Sequence, residues 1–129
     1  FKDDKILLVK EKNGSWSLPG GWVDVNQSIK TNTEKEVKEE AGLDVKATRI
    51  IAMQDRNLHN TPPYAYNVCK VFVICEIESG YFQPNIETEE SNYFKLEELP
   101  VLAEEKNNKE QIRMCFSAYQ DKNWQVQFD

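Results

Sequence analysis

The chain has 129 residues, of which 40% are hydrophobic and 29% charged, and its formal net charge is −6. This composition is ordinary for one globular domain, and the acidic balance argues against broad, non-specific nucleic-acid binding, because no basic stripe is available to displace counterions from phosphates. No apolar run approaches the roughly 18 residues of a membrane span and no charged-then-apolar leader is visible, so we expect no membrane contact and a cytoplasmic protein.

The first predicted elements are two short strands. Residues 5–10 form an apolar strand directly after a turn-like acidic pair, and Ser15–Leu18 forms the second. Since the first strand looks like the later half of a hairpin, we expect a single domain over residues 1–129 that lacks its first strand and any N-terminal extension. The second strand leads into Pro19-Gly20-Gly21, where glycine permits backbone angles and close approaches that other residues cannot adopt.

A helix is predicted next, with Ser28 as its N-cap, an end near Ala41 and Gly42 in the left-handed terminating position. It carries three glutamates, namely Glu36, Glu39 and Glu40. Carboxylates repel each other by roughly 1 kcal/mol per pair at contact distance in water, and by about 4 kcal/mol near a protein surface. Such a cluster therefore suggests a cation that balances it.

The spacing of these glutamates supports a divalent metal site. Glu36 and Glu40 lie about 40° apart on a helical wheel, and Glu40 projects beside the apolar stripe of the helix. A carboxylate at the edge of a core is costly unless it is paired or binds a metal. The alternative is an acidic, solvated helix face with pairs such as Glu34 and Lys38, which is the commoner outcome for a helix considered without its flanks.

Further along the chain, residues 50–53 and Asn67–Ile77 predict two central strands. The polar, proline-punctuated segment Asp55–Tyr64 between them predicts a surface loop. Short strands are expected near Tyr81 and over Asn92–Phe94.

The last predicted helix begins at Asn108, whose capping partner is Gln111. Its core-facing stripe has the i, i+3, i+4, i+7 spacing and consists of Ile112, Cys115, Phe116 and Tyr119. This order of elements indicates an α/β fold with a mixed sheet between helices, an α/β/α sandwich.

The three cysteines carry no proposed chemistry. They form no CxxC pair, are odd in number and have only one histidine to join them, which argues against a zinc site and a disulfide framework. Cys69 and Cys75 share a strand face with two valines, so we expect both to be buried as small apolar residues.

The segment GWVDVNQSIKTNTEKEVKEEAGL closely resembles the signature of the Nudix (MutT-like) hydrolases, GX5EX7REUXEEXGU, in which U is a bulky aliphatic residue. Seven of the nine specified positions match, and they are Gly21, Glu36, Val37, Glu39, Glu40, Gly42 and Leu43. The flanking SWSLPGGW and NYFKLEELP also fit the family. The resemblance implies the same α/β/α sandwich.

The resemblance implies hydrolysis of a nucleoside diphosphate linked to a group X, giving a nucleoside monophosphate and phospho-X, with Mg²⁺ or Mn²⁺ as cofactor. Glu36 and Glu40 correspond to the principal metal ligands, and Glu39 to a further ligand or the residue that orients the attacking water. The carbonyl of Gly20 is a candidate ligand as well. Relatives with a loop like DRNLHNTPPY and an ending like QFD suggest ADP-ribose or CDP-choline as substrates, and they often carry an N-terminal helical extension.

Two signature positions depart from the family. Gln27 stands where the family has glutamate, and an amide coordinates only through its carbonyl oxygen and adds no negative charge. Lys35 stands where the family has arginine, which keeps the charge but loses the planar two-pronged contact. We expect reduced rather than abolished turnover, and the competing hypothesis is a nucleotide-binding or regulatory module that does not cleave its ligand.

Several residues outside the signature are candidates for binding the substrate. Glu87 lies in a loop that in some family members supplies an extra ligand or base, and Arg56 and His59 are candidates for holding phosphate or the X group. For each, simple solvation is an equally good interpretation. Tyr64 and Tyr66 are candidates for stacking on a base, with packing as the commoner role of tyrosine.

Trp16 and Trp22 are assigned to packing around the glycine turn. The expected partner is a small nucleoside diphosphate derivative, and the resemblance favours a homodimer. Hydrolysis of RNA ends or caps is disfavoured by the acidic balance.

Overall fold

The computed structural model describes residues 1–129, which form six strands, three α-helices and one 3₁₀ helix. The strands are β1 (Ile6–Glu11), β2 (Trp16–Ser17), β3 (Leu43–Asp55), β4 (Cys69–Gly80), β5 (Thr88–Phe94) and β6 (Gln127–Phe128). The helices are α1 (Ile29–Ala41), α2 (Arg56–His59) and α3 (Lys109–Gln120), with a short 3₁₀ helix over Leu96–Glu98. None of these helices has both the length and the apolar character needed to span a bilayer.

The strands form two three-stranded sheets. The first has the order β2-β1-β5 and is antiparallel, and its β1–β5 ladder joins Ile6 to Phe94. The second has the order β4-β3-β6, in which β3 and β4 are antiparallel while β3 and β6 are parallel. Strand β3 runs over 13 residues, far beyond the predicted segment 50–53.

Strand β1 is buried on both faces, which places helices on opposite sides of it. Ile6 and Leu8 belong to an apolar cluster that includes Ile112 of α3, whereas Val9 belongs to a second cluster that includes Val37 of α1. Each fully buried aliphatic side chain of this kind contributes about 1.5–3 kcal/mol. The layered α/β/α arrangement expected from the element order is therefore present.

The ends of α1 are set by its own sequence. The Ser28 hydroxyl accepts the Thr31 backbone N–H, and the Thr31 hydroxyl accepts the Ser28 N–H, so a capping box starts the helix. Gly42 ends the helix with a φ of 73°, in the left-handed region. Asn108 and Gln111 form the second capping box, at the start of α3. These predicted caps are confirmed.

Two glycines let the chain cross itself beside the end of α1. A Cβ on Gly42 would lie 2.1 Å from the Tyr81 carbonyl oxygen, and a Cβ on Gly80 would lie 2.5 Å from the Gly42 carbonyl oxygen. Because Gly80 also has a φ of 97°, β4 ends there and the chain turns over the helix end. The strand predicted near Tyr81 is therefore wrong, and the segment that follows instead lies against α1.

Two further predictions are corrected by the structure. The predicted loop Asp55–Tyr64 contains the one-turn helix α2, which Asp55 caps by accepting the Asn57 backbone N–H. Cys69 is exposed and Cys75 is half-buried, so the expectation that both are buried is wrong. Cys69 pairs with Asp55 at the extreme end of the β3–β4 ladder, beyond the part of the sheet that the core covers.

Candidate active site

Three carboxylates from two parts of the chain converge at one point. Glu36 and Glu40 come from α1, and Glu87 comes from the loop before β5. One oxygen from each of the three lies within 4.8 Å of the others. Carboxylate oxygens at such spacing repel each other, and hard divalent cations such as Mg²⁺ and Mn²⁺ prefer this kind of donor.

The environment of Glu40 disfavours an isolated negative charge. Glu40 is 8% exposed, and this burial raises the pKa of its carboxyl to about 8. The Gly20 backbone N–H donates to the carboxylate at 2.8 Å, which opposes the rise. Burial, followed by the neighbouring Glu39, also raises the pKa of Glu36. Groups of this kind hold either a proton or a cation. The three-glutamate cluster therefore fits a divalent metal ion.

The glycine turn after β2 fits closely against these carboxylates. A Cβ on Gly21 would lie 2.9 Å from the Glu36 carboxyl carbon, so any larger residue would displace that side chain. The turn is held by the Asn107 side chain, which accepts the Leu18 backbone N–H at 2.8 Å. Gly20 donates its N–H to Glu40, and the expected contact of its carbonyl oxygen with a metal stays a prediction.

Glu39 lies outside the cluster. Its carboxylate is 3.0 Å from the Lys35 ammonium, and its side chain is 46% exposed. The same ammonium is 2.9 Å from Asp24 and 3.9 Å from Glu36. Hydrogen bonds to Asp24 and Glu39 raise the pKa of Lys35. Lys35, which occupies the basic position of the signature, thus lies among three carboxylates.

Gln27 is exposed in the turn before α1. Its backbone N–H donates to the Asp24 carbonyl at 3.1 Å, while its side chain makes no hydrogen bond. The Gln27 amide is therefore not part of the three-glutamate cluster. Its backbone contacts Asp24, whose carboxylate pairs with Lys35.

The loop that carries Glu87 is fastened to the end of α1 by two side chains that the sequence analysis did not single out. The Thr88 hydroxyl donates to the Glu40 carbonyl at 2.7 Å. Asn85 accepts the backbone N–H groups of Glu87 and Thr88, each at 2.9 Å. Asn side chains commonly accept backbone N–H groups two residues further along the chain, so Asn85 was the available signal.

Asn32 is a second missed residue. It is 3% exposed, and its amide donates to the Trp22 carbonyl and accepts the Asp24 N–H, both at 3.0 Å. A poor helix former in the second turn of a helix signals such side-chain bonding to the preceding loop.

Arg56 and His59 have partners other than the glutamates. Arg56 is 2% exposed, and its guanidinium donates to the Pro62 and Glu105 carbonyls and lies 3.5 Å from the Tyr64 ring centroid. The His59 ring nitrogen lies 2.6 Å from an Asp129 carboxylate oxygen. These contacts tie the α2 region to other segments, and the expected role of either residue in holding phosphate or the X group stays a prediction.

The two tryptophans near the glycine turn behave differently. Trp16 is 8% exposed and meets Phe94 edge-on at 5.0 Å, which confirms its packing role. Trp22 is 65% exposed, so the packing role predicted for it is wrong. Its carbonyl accepts a hydrogen bond from the Asn32 amide, while its ring lies mostly in solvent.

Residues 1–115 match the model of the NUDIX domain family. The chain is 35% identical to YjhB of Bacillus subtilis (strain 168) over 130 residues, which is all of this chain and 62% of that protein. It is 31% identical to the ADP-ribose pyrophosphatase of Methanocaldococcus jannaschii over 106 residues, which is 79% of this chain and 61% of that protein. The chain thus spans about three fifths of the length of these curated relatives.

Two crystal structures are similar over nearly the whole chain. An ADP-ribose pyrophosphatase from Streptococcus suis 89-1591 has a TM-score of 0.94 and 50% identity, covering 100% of this chain and 92% of that one. A UDP-X diphosphatase has a TM-score of 0.89 and 34% identity, covering 98% of this chain and 62% of that one.

Proposed function

The chain belongs to the Nudix family, and from this premise we propose that it hydrolyses the diphosphate of a nucleoside diphosphate linked to a second group X. Water attacks one phosphorus, the bridging P–O–P bond breaks, and the products are a nucleoside monophosphate and phospho-X. The observation that carries the proposal is the convergence of Glu36, Glu40 and Glu87 to within 4.8 Å. The names of two similar proteins, an ADP-ribose pyrophosphatase and a UDP-X diphosphatase, support this substrate class.

In this proposal Glu36, Glu40 and Glu87 hold Mg²⁺ or Mn²⁺. The ion, when bound, neutralises the diphosphate oxygens as negative charge shifts during hydrolysis. The Gly20 N–H keeps Glu40 aimed into the cluster, and the absent side chain at Gly21 leaves room for Glu36. The Lys35 ammonium places a positive charge 3.9 Å from the outer side of the Glu36 carboxylate.

Glu39 has the role of orienting the attacking water. One of its oxygens faces Lys35 at 3.0 Å, and the other is available to accept a hydrogen bond from water. Its exposure of 46% suits a group that meets solvent. The substrates that we expect are ADP-ribose, CDP-choline or UDP-linked compounds, processed in the cytoplasm. The proposed homodimer remains a prediction.

The proposal is tested by incubating a panel of nucleoside diphosphate derivatives with Mg²⁺ or Mn²⁺ and following monophosphate release. Glu40→Gln removes one ligand charge at nearly constant volume, and we expect it to lower kcat by about 100-fold or more, since metal stabilisation of the transition state amounts to several kcal/mol. Glu76→Gln, an exposed change on β4, is the matched control. If no derivative is cleaved faster by the unmodified protein than by Glu40→Gln, the enzyme proposal fails.

A second candidate function is binding of a nucleotide without cleavage, which the uncharged Gln27 favours. This hypothesis predicts that nucleoside diphosphate derivatives raise the melting temperature although no product appears. The double change Gln27→Glu and Lys35→Arg then separates two causes. Recovered hydrolysis would identify those two positions as the defect, and continued inactivity would locate it elsewhere in the site.

A further inference from the structure

Three consecutive backbone carbonyls in the loop before α3 accept hydrogen bonds from side chains of other segments. The acceptors are Glu104, Glu105 and Lys106, and the donors, in the same order, are Asn60, Arg56 and Lys70. The first two bonds measure 2.9 and 3.1 Å. We call residues 104–106 the clamped loop, because side chains from the α2 region and from β4 hold its backbone at every residue.

Two of the three donors are cations that folding removes from water. Arg56 is 2% exposed, and burial, followed by the nearby Arg56, lowers the pKa of Lys70 to about 8. A charge out of water is costly unless hydrogen bonds compensate for it. The side chains of the clamped loop are themselves exposed, so core packing does not fix its position. The position of this loop therefore depends on the buried donors.

The residue after the clamped loop joins it to the glycine turn. Asn107 is 6% exposed, and its side-chain oxygen accepts the Leu18 backbone N–H at 2.8 Å. Two residues further along the turn, the Gly20 N–H donates to the Glu40 carboxylate, also at 2.8 Å. A short series of hydrogen bonds thus leads from Asn107 to one member of the three-glutamate cluster.

The same two segments are also joined before they reach the site. Residues 101–103 run parallel to β2, where the Trp16 N–H donates to the Val101 carbonyl at 2.9 Å and the Ala103 N–H donates to the Trp16 carbonyl at 2.8 Å. Beyond this pairing, one segment continues into the glycine turn and the other into the clamped loop. Asn107 connects them again, so the turn is held at both of its neighbouring contacts.

We propose that Asn107 is a positioning residue for the metal site, an inference that rests on the proposed function. By holding Leu18, it keeps the Gly20 N–H on Glu40 and keeps Gly21 beside Glu36. The clamped loop keeps Asn107 itself in place. The Asn107 hydrogen bonds go to Leu18 and to the Ala103 carbonyl, so its effect on a metal passes through the turn.

The first experiment follows amide hydrogen exchange in the metal-free protein. Asn107→Leu keeps the side-chain volume approximately and removes the acceptor. We expect the Leu18 and Gly20 amides both to exchange about tenfold faster, the effect of losing one hydrogen bond, although only Leu18 contacts Asn107. Asn107→Asp keeps an acceptor oxygen in either protonation state, and it should restore slow exchange at both amides.

The second experiment is a calorimetric titration with Mn²⁺ in the absence of substrate. Asn107→Leu should lower Mn²⁺ affinity by about 10-fold to 100-fold, the usual effect of removing a group that orients metal ligands. Asn107→Asp should recover most of this loss. If Asn107→Leu does not fold, Asn107→Ala replaces it, because alanine adds no apolar volume beside the clamped loop.

The matched control is Arg49→Met. It removes a hydrogen bond from a half-buried arginine to the backbone carbonyl of Ala118, at 2.7 Å, near the opposite end of α3. Urea denaturation measures how far each variant is destabilised. At a similar loss of stability, Arg49→Met should leave both turn amides and Mn²⁺ affinity unchanged.

The two proposals fail in different ways. If substrates are hydrolysed but Asn107→Leu changes neither Gly20 exchange nor Mn²⁺ affinity, the positioning role is wrong and the hydrolase stands. If nothing is hydrolysed but Asn107→Leu alters both measurements and Asn107→Asp restores them, the hydrolase proposal fails and the positioning role stands. Equal effects of Asn107→Leu and Arg49→Met would reveal a general loss of stability and overturn the role. Should the unmodified protein bind no Mn²⁺, the metal site and this role would both be wrong.

Discussion

Lys35 stands where the Nudix signature has arginine, and its ammonium lies among three carboxylates. An arginine would hold carboxylates through a planar, two-pronged contact, whereas the Lys35 ammonium acts as a point charge that reaches Asp24, Glu39 and, more distantly, Glu36. Asp24 lies outside the positions that the signature specifies, so this ion-pair arrangement could not be predicted from the signature.

We predict that Lys35→Met lowers kcat and Mg²⁺ affinity by about 10-fold to 100-fold, the usual loss when a group that orients metal ligands is removed. Since the Lys35 side chain is 37% exposed and its ion pairs are screened by solvent, the free energy of unfolding should change little. The control is Lys38→Met on the same helix, which breaks the exposed ion pair between Lys38 and Asp44 of β3. Steady-state kinetics with a Mg²⁺ titration measures both, and equal effects of the two changes would contradict the assigned role.

The second prediction at the residue scale concerns pH. Burial raises the pKa of Glu40 to about 8, so below that pH a proton must leave before a cation binds. Metal affinity should therefore rise about tenfold per pH unit from about pH 6 to about pH 8 and level off above.

Calorimetric titration with Mn²⁺ in buffers of different ionisation enthalpy counts the released protons. We expect about one proton near neutral pH, and a smaller number for Glu40→Gln. Affinity that does not vary over this pH range would show that Glu40 is ionised before the metal arrives.

The glutamates also mark the limit of residue-level prediction. Helical spacing was enough to bring Glu36 and Glu40 together, because both lie on one face of α1. Helical spacing could not show that the Glu39 carboxylate pairs with Lys35. It also could not show that Glu87 joins the cluster, because Glu87 is 47 residues after Glu40 in the sequence and reaches it only in the folded chain.

At the scale of the element, the end of α1 does two jobs. The last carbonyls of a helix lack intrahelical partners, and the Glu40 carbonyl finds one in the buried Thr88 hydroxyl. That bond also fixes the loop that presents Glu87. The helix end, the loop and the third carboxylate are thus one structural unit.

We predict that Thr88→Val, which keeps the shape and removes the hydroxyl, destabilises the protein by about 1–3 kcal/mol, because the Glu40 carbonyl and the Asn85 amide each lose a hydrogen bond. It should also weaken Mg²⁺ binding, because Glu87 is no longer held. The control is Thr48→Val, which removes an exposed hydroxyl that donates to the Ile74 carbonyl. Urea denaturation with and without Mg²⁺ tests this, and unchanged metal affinity would separate Thr88 from the site.

Helix ends that depend on interactions within a few residues were predictable from the sequence. Ser28, Gly42 and Asn108 act through neighbours within a few residues, so their roles follow from the sequence. The region after β4 was not predictable, because its course depends on the close approach of Gly42 and Gly80, which a sequence pattern does not reveal.

At the scale of the whole molecule, the predicted order of strands and helices was enough to indicate a layered α/β fold. The division into two sheets was not accessible, because hydrophobic alternation identifies a strand without identifying its partner. Strand β1 pairs with β5 almost 90 residues away, at Ile6 and Phe94. The site forms where the turn after β2, the helix α1 and the loop before β5 meet, so it depends on this long-range pairing.

The last prediction concerns the free-energy cost of holding the three-glutamate cluster ionised in the folded protein. The folded-state pKa of Glu40 is raised above its ordinary value of 4.5, so the unfolded chain binds fewer protons between about pH 4.5 and about pH 8. Without metal, the stability that is fully present below about pH 4.5 is therefore lost as pH rises towards 8. Glu40→Gln removes this charge, and the metal-free variant should be more stable than the unmodified protein at pH 8 and nearly equal to it at pH 5.

Metal should reverse that order. At a concentration about 100 times its Kd, a cation that binds only the folded state adds about 2.7 kcal/mol, which for a chain of this size raises Tm by roughly 10 °C. Glu40→Gln should lose most of this shift, while Glu76→Gln keeps it. Thermal unfolding at both pH values, with Mg²⁺ and with a chelator, measures the four combinations. The prediction is wrong if, without metal at pH 8, Glu40→Gln is less stable than the unmodified protein. That result would mean that other groups of the protein already stabilise the ionised Glu40 carboxylate.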